Sequence, residues 1–162
     1  MSTIAITIVT ACAALFSAAL GAFVSFKANE RKIKAALITA NRQRWMEIIR
    51  ELLAELMSVS YTVSIIKRQI KTADPVAAVA ADHLLLDKLE HVALVKNKIR
   101  LMLNPTKKEH HDLYQSVDVA YQRLVSREEM DVIALLHNDF DVITQRAHVI
   151  LGHEWLRVKR GD

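Results

Sequence analysis

The sequence is poor in the residues that make turns, crosslinks and metal sites. It has 3 glycines, 2 prolines and 1 cysteine among 162 residues, and aromatic residues make up 6%. A β-sandwich or barrel needs a turn signal about every 8–12 residues, which so few turn formers do not supply. A single cysteine excludes an internal disulfide framework and a cysteine-rich zinc site. Abundant Ala, Leu, Glu, Lys and Arg favour helix, and the length suits one domain, so we predict an all-α fold.

Charged side chains are absent from the first 26 residues. All 22 basic and all 18 acidic residues lie after Phe26, so the formal net charge of +4 belongs to residues 27–162. Residues 3–26 would form about 36 Å of helix, enough for a hydrocarbon core of ~30 Å. A cleaved signal peptide is the alternative, but its positive charges precede the apolar run. Here they follow it, at Lys27, Arg31, Lys32 and Lys34.

We therefore predict a transmembrane helix over residues 1–26 and a juxtamembrane basic helix over residues 27–37. The positive-inside rule places the N-terminus outside and the rest of the chain in the cytoplasm. Small residues recur at every fourth position of the span, at Ala13, Ser17, Gly21 and Ser25. In a helix they form a smooth stripe that a second helix approaches closely, which predicts self-association, although alanine-rich spans also show this spacing by chance.

Apolar residues after the span follow the heptad spacing of a coiled coil. The repeat consists of Trp45, Ile49, Leu52, Leu56, Val59, Val63, Ile66 and Ile70. Such a repeat predicts an apolar seam along one helix, which is a second candidate for self-association. No helix breaker occurs between Phe26 and Thr72, so the sequence allows span and repeat to form one long helix without deciding whether they are continuous. Trp45 is predicted to be a core anchor.

Two prolines and two capping patterns divide the rest of the chain. Asp74 suits an N-cap and Pro75 the first position of a second helix, which ends at Asn104-Pro105 because the residue before proline avoids helical torsion angles. The segments 106–109 and 126–129 have the pattern of capping boxes, which predict the starts of a third and a fourth helix. The predicted architecture is one transmembrane helix that continues into an antiparallel cytoplasmic helical bundle over residues 38–162.

Residues for catalysis or for a cofactor are not recognisable. None of the 7 histidines has a glutamate three residues before it, as a di-iron bundle requires, and no His-Glu-x-x-His zinc motif occurs. His83, Asp87 and His91 share one helical stripe that could contribute to a metal site, but a solvated polar face is the favoured interpretation. We predict a non-enzymatic protein with no catalytic residue, no metal and no cofactor.

The predicted bundle collects basic residues at its two ends. The end with the Asn104 turn gathers Arg42, Arg44, Lys107, Lys108, His110, His111, Arg157, Lys159 and Arg160. The far end gathers a smaller group, which is Lys67, Arg68, Lys71, Arg123 and Arg127. We predict that an anionic ligand such as a cyclic nucleotide binds the first group, and that binding tightens toward pH 6 as histidines become protonated. The predicted ligand-binding residues are Lys107, Lys108, His110, His111, Arg157 and Lys159.

Basic residues also bind anionic lipid and nucleic acid. A solvated basic face near the anionic headgroups of the lipid bilayer is the alternative to a ligand site. Long nucleic acid is excluded as a partner, because a net charge of +4 is modest and aromatic residues do not interleave with the basic ones.

Three motifs stand out along the chain. They are Arg44-Trp45-Met46 with Arg50-Glu51, the run from Lys98 to Pro105 with His111, and the run from Glu154 to Lys159. These motifs resemble those of small, mostly uncharacterised bacterial proteins with one N-terminal span and a cytoplasmic helical domain. The resemblance covers nearly the whole chain and implies a single-pass protein of the bacterial inner membrane. By architecture alone, the chain also resembles small membrane effectors of antiviral defence, including those that answer cyclic oligoadenylate made by type III CRISPR complexes.

Three function classes follow from these observations. The first, which we expect, is an oligomeric membrane effector whose helical domain binds an anionic signal. The second is a membrane-anchored adaptor that recruits a protein partner through the bundle. The third is a transporter or channel subunit, which is disfavoured because the predicted span has no ionisable residue of the kind that such pathways usually need.

Overall fold

The protein consists of four α-helices. The structure, a computed structural model, describes residues 2–126 and 132–160, with the side chains of residues 2–15, 19 and 132–135 outside the description. The helices are α1 (Ser2–Thr72), α2 (Pro75–Met102), α3 (Lys108–Val125) and α4 (Val132–Arg160). The described ranges contain no β-strand, and the predicted all-α fold is confirmed.

Helix α1 is a single rod of 71 residues, about 107 Å long. It carries both the uncharged segment and the heptad repeat, a continuity that the sequence left open. Every described side chain from residue 16 to residue 34 is exposed, so this part of α1 projects beyond the bundle. The predicted transmembrane helix falls largely on residues 1–15, whose side chains lie outside the described residues. Within the part of the chain that was described, no helix is both long and apolar enough to cross a membrane.

The four helices pack as an antiparallel bundle. The end of α2 meets α1 where the Trp45 Nε1–H donates to the Met102 carbonyl at 2.9 Å. At the far end, Lys67 of α1 donates to the carbonyls of Leu124 and Ser126 and so satisfies the end of α3. Helices α3 and α4 are joined along their length by the Arg123–Asp139 ion pair and by a contact of His153 Nδ1 with Glu109 Oε2 at 3.1 Å. The predicted helical bundle is confirmed.

The heptad repeat fills the core of the chain's own bundle. Ile49, Leu56 and Val63 are buried, and they pack with buried apolar residues of α2, α3 and α4. Other members of the repeat, such as Leu52 and Val59, pack against the edge of this core. These side chains are therefore occupied within the chain.

The observed ends of α2 match those predicted from the sequence, whereas the observed start of α3 differs from the predicted one. Asp74 caps α2, because its Oδ1 accepts from the amides of Val76 and Ala77. Helix α2 ends at Met102, just before Asn104-Pro105, as predicted. The capping box at Thr106 is wrong: α3 begins at Lys108 without a side-chain cap, and the Thr106 hydroxyl donates to Asn104 Oδ1 instead.

The second predicted capping box falls mostly on residues 127–131, which lie outside the described residues. Ser126, its first residue, is the C-cap of α3. Its hydroxyl donates to the carbonyl of Arg123 at 2.9 Å. The structure describes α4 from Val132 onward.

Candidate anion-binding site

A cavity of about 370 Å³ opens at the end of the bundle where the Asn104 turn lies, which we call the Asn104 cavity. Its walls come from α1, the end of α2, the start of α3 and the last part of α4. The lining residues are Ile38, Asn41, Arg42, Trp45, Met102, Asn104, Lys107, His110 and Glu154. Each of the three sequence motifs contributes to it, with Trp45 from the first, Met102 and Asn104 from the second, and Glu154 from the third. Residues far apart in the sequence therefore converge on one site.

Trp45 and His110 form a rigid wall of this cavity. Their rings stack, with centroids 5.8 Å apart and planes 24° apart. The backbone N–H of Asn104 donates to His110 Nδ1 at 3.1 Å. His110 is only 5% exposed, and burial, followed by the nearby Lys107, lowers the pKa of its imidazole. His110 is therefore neutral at pH 7 and acts as a hydrogen-bond acceptor in the turn.

This role of His110 corrects one expectation from the sequence. We predicted that histidines at this end would become protonated toward pH 6 and tighten anion binding. The lowered pKa of His110 opposes its protonation, and protonation would break its bond with the Asn104 amide. His110 thus belongs to the site as a structural residue whose neutral form the turn requires.

Glu154 is the centre of the charged groups in the cavity. Its Oε1 accepts from Lys107 Nζ and from Arg157 Nη1, each at 3.1 Å, while Arg42 Nε lies 3.8 Å from its Oε2. Glu154 is 9% exposed. Burial acts to raise the pKa of this carboxyl, but the hydrogen bond and charge of Lys107 and the charges of Arg157 and Arg42 lower it overall. Arg42 and Lys107 of the cavity lining, together with Arg157 beside it, therefore surround one ionised carboxylate.

Arg42 is the cation that Glu154 satisfies least. Both hydrogen bonds to the carboxylate go to Oε1, and the 3.8 Å separation from Oε2 is too long for a hydrogen bond. Among the described residues, the Arg42 Nη1 nitrogen is buried and has no hydrogen-bond partner. A buried donor without a partner costs about 1–3 kcal/mol, more when it is charged. The cavity thus has donor capacity that its own carboxylate does not use.

The structure brings half of the predicted ligand-binding residues together. Lys107 and His110 line the cavity, and Arg157 joins it through Glu154. Lys108 and His111 are exposed and outside the lining. The Lys159 ammonium lies over the Trp155 ring, 5.5 Å from its centroid, also outside the lining. Trp155 itself is 45% exposed.

The sequence missed Glu154 as a site residue and left Arg42 outside the predicted ligand-binding set. The one available signal was the spacing of Glu154 and Arg157, which at three residues apart face each other on a helix. The contacts of Glu154 with α1 and α3 depend on how the helices rotate against one another. The spacing of residues along the sequence does not specify how the helices rotate against one another.

Two of the basic residues at the far end of the bundle, Arg123 and Lys67, serve its structure. Arg123 Nη1 donates to both oxygens of Asp139 at 2.9 and 3.0 Å. Lys67 caps the end of α3, and burial, followed by Lys71, lowers the pKa of its ammonium. Arg127 lies outside the described residues. The far-end group is therefore a weaker candidate for a ligand than the Asn104 cavity.

The polar stripe on α2 is also engaged within the chain. His91 Nε2 lies 2.7 Å from Glu55 of α1, and Asp87 pairs with Lys88 at 3.0 Å. In the ranges 2–126 and 132–160, no group of three or more His, Cys, Asp or Glu side chains is arranged to hold a metal ion.

The stripe of small residues in the uncharged segment is described only in part. Ala13 lies outside the residues with described side chains. Ser17, Gly21 and Ser25 are exposed. A Cβ added to Gly21 would meet nothing within 4 Å, so the helix surface is open at that position.

Comparison with known proteins adds no relative, since no protein family, curated protein or solved structure matches this chain. The geometry of the Asn104 cavity and its place on α1 are therefore the basis for assigning a function.

Proposed function

We propose that this chain is a non-enzymatic, self-associating bacterial membrane effector whose cytoplasmic bundle binds an anionic ligand in the Asn104 cavity. One observation carries the proposal: α1 runs without interruption from the uncharged segment to the cavity. Arg42 and Trp45 lie on the same helix as residues 3–26. A ligand that moves these two side chains therefore acts on the uncharged segment through a continuous rod.

The uncharged segment is proposed to be the membrane anchor. It has 24 residues without a charged side chain, followed by a cluster of basic residues. All of its large apolar side chains that the structure describes are exposed. They are Phe16, Leu20, Phe23, Val24 and Phe26. Exposed apolar surface of this extent marks a membrane or protein contact. The basic residues that follow would hold the bundle in the cytoplasm and the N-terminus outside.

Self-association is proposed to use the projecting part of α1. Phe26, Ile33 and Leu37 are exposed and recur at intervals of seven and four residues, which places them on one face of the helix. The open surface around Gly21 continues this contact into the proposed span. A second copy anchored in the same membrane would present the same surface at the same height.

The Asn104 cavity is proposed to be the sensor. Arg42, Lys107 and Arg157 outnumber the single carboxylate of Glu154, and a volume of about 370 Å³ accommodates a small ligand. A cyclic oligonucleotide is one anion of suitable chemistry, in line with the resemblance to antiviral membrane effectors. Ligand binding would then change how the spans assemble.

The test uses the full chain in phosphatidylcholine nanodiscs. Isothermal titration calorimetry with ATP and with cyclic oligoadenylates is expected to show saturable binding, and dye-loaded liposomes that contain the protein are expected to leak when the bound ligand is added. Arg68→Gln, a charge change at the far end, is the control and should behave as wild type. Recovery of the protein in the soluble fraction of cells, or the absence of binding to any of these anions, would refute the proposal.

A second candidate function is a membrane-anchored adaptor, which a groove between α1 and α4 favours. The groove has a volume of about 780 Å³, and its apolar lining includes Met46, Leu53, Met57, Leu151 and Trp155. Methionine-rich surfaces adapt to a partner helix. Gly152 lines this groove, and a Cβ added there would meet nothing within 4 Å, so Gly152→Leu places an apolar side chain at the groove. Loss of cellular activity in Gly152→Leu, with ligand binding and oligomer mass unchanged, would favour the adaptor.

A further inference from the structure

We infer that Glu154 is a built-in counter-anion of the Asn104 cavity, and that a soluble phosphate ester displaces it to bind Arg42, Lys107 and Arg157. The inference rests on the proposed anion-binding function and adds the chemical class of the ligand and the way in which it is admitted. In the free protein the carboxylate occupies the place where the phosphate binds.

The arrangement of donors around Glu154 favours a phosphate over a carboxylate. Lys107 and Arg157 both donate to Oε1, whereas Oε2 has only Arg42 Nε at 3.8 Å. The Arg42 Nη1 nitrogen is buried and without a partner among the described residues. A phosphate presents its oxygens in several directions and accepts from all three cations at once. Arginine can also grip it through two parallel hydrogen bonds.

Glu154 can leave the cavity without unfolding the bundle. It lies six residues before the described end of α4, and its neighbours Trp155 and Leu156 are exposed. A change of rotamer therefore brings its carboxylate toward solvent. The three cations keep the pKa of Glu154 below its ordinary value. Protonation near neutral pH thus does not release it, and a competing anion is needed.

The position of the cavity favours a soluble ligand over a lipid headgroup. Arg42 lies 16 residues beyond Phe26, which corresponds to about 24 Å of helix. The headgroup region extends only roughly 5–8 Å beyond each side of the hydrocarbon core. The cavity also has an apolar wall of Ile38, Trp45 and Met102 beside its cations. This combination suits an ester with a flat apolar part, such as a nucleotide.

Displacement of Glu154 would change what holds the helices together at this end. In the free protein Glu154 ties α4 to Lys107 at the start of α3 and to Arg42 of α1. A bound phosphate replaces these ties, because Arg42, Lys107 and Arg157 come from the same three parts of the bundle. The bound ligand would then connect α1 to the end of α4 by binding Arg42 and Arg157 at once.

The experiment compares full-length variants in phosphatidylcholine nanodiscs at fixed ionic strength. ATP and cyclic oligoadenylates are titrated by calorimetry, with inorganic phosphate as the minimal probe. Removal of the competing carboxylate in Glu154→Gln is expected to tighten nucleotide binding about tenfold, and Arg42→Gln to weaken it about tenfold, since each changes a charge-assisted interaction. Arg44→Gln and Lys108→Gln are matched controls, because they remove the same charges just outside the cavity, and they should leave binding unchanged.

Other binding results would overturn the displacement of Glu154, the anion-binding function, or both. Equal affinity of wild type and Glu154→Gln, or equal losses in Arg42→Gln and Arg44→Gln, would overturn the displacement and leave the anion-binding function standing. The absence of nucleotide binding in every variant, Glu154→Gln included, would overturn both. A second arm uses nanodiscs with phosphatidylserine and no nucleotide. Thermal stabilisation of Glu154→Gln by this lipid, with none by nucleotides, would assign the cavity to headgroups and overturn the soluble ligand.

A second variant keeps the test decisive if Glu154→Gln does not fold. Glu154→Asp keeps the negative charge and withdraws it from the cations by one methylene. It is expected to tighten nucleotide binding in the same direction by a smaller factor. Weaker binding in Glu154→Asp would show that the carboxylate supports the ligand site rather than competes for it, and would overturn the inference.

Discussion

Substitution of Trp45 by phenylalanine is expected to destabilise the bundle by weakening the junction of α1 and α2. Phenylalanine keeps an aromatic ring against His110 but removes the Nε1–H that donates to the Met102 carbonyl at 2.9 Å. Leaving a partly buried carbonyl unpaired costs about 1–3 kcal/mol. For a chain of this length, that loss lowers Tm by roughly 3–10 °C.

The control for this prediction is the second tryptophan. Trp155 is 45% exposed and has a cation–π contact with Lys159 that a phenylalanine ring also provides. Trp155→Phe is therefore expected to change Tm by less than about 2 °C, as surface substitutions usually do. Thermal unfolding of the full chain in mild detergent, followed by circular dichroism, measures both variants. Equal Tm values for Trp45→Phe and wild type, or an equal loss in Trp155→Phe, would refute the role of the indole bond.

Three further predictions test the core, the far end and the pH dependence. Ile99→Ala removes a fully buried side chain and should lower the free energy of unfolding by about 2–5 kcal/mol. Leu101→Ala, at 85% exposure on the same helix, should leave it almost unchanged. Similar losses of free energy for the two variants in urea unfolding would contradict the packing. Arg123→Leu should destabilise the bundle more than Asp139→Leu. The first variant leaves the buried Asp139 carboxylate unpaired, whereas in the second Arg123 can turn to solvent. The reverse order of stability would contradict this ion pair. Because the pKa of His110 is lowered on folding, the unfolded chain binds more protons than the folded chain below pH 6.5. Tm should therefore fall from pH 7 to pH 5, and it should fall less in His110→Gln. The same dependence of Tm on pH in both proteins would contradict the lowered pKa of His110.

The helices were predictable from the sequence where local signals were strong. The Asp74-Pro75 cap and the Asn104-Pro105 stop depend on torsion angles and on one side-chain bond, which neighbouring residues determine. The heptad repeat predicted the buried face of α1 correctly. It did not predict what covers that face, because an apolar seam packs equally well against a second copy or against the chain's own helices.

The start of α3 was not predictable, because two local hydrogen bonds compete there. The Thr106 hydroxyl could cap α3 or donate to Asn104 Oδ1, and the structure has the second bond at 2.8 Å. Both choices fit the same four-residue pattern. The difference lies in the turn that Asn104 makes with its own side chain.

The candidate site was predictable as a region and not as a set of contacts. Helix lengths placed Lys107 and Arg157 at one end of the bundle. Lys107 and Lys108 are indistinguishable by sequence, but Lys107 is extended just before α3 whereas Lys108 is its first helical residue, and Lys107 is the one that donates to Glu154. The buried carboxylate at the centre follows from the rotation of α4 against α1 and α3, which tertiary packing decides.

The central claim is that a ligand in the Asn104 cavity acts through α1 on the assembly of the uncharged segment. The chain has one cysteine, Cys12, and it lies in this segment. A spin label on Cys12 of the full chain in phosphatidylcholine nanodiscs reports the distance between copies by pulsed electron paramagnetic resonance. We predict a defined distance that shifts when the nucleotide identified by calorimetry is added and does not shift in Arg42→Gln. No distance between copies, or the same shift in Arg42→Gln, would contradict the claim.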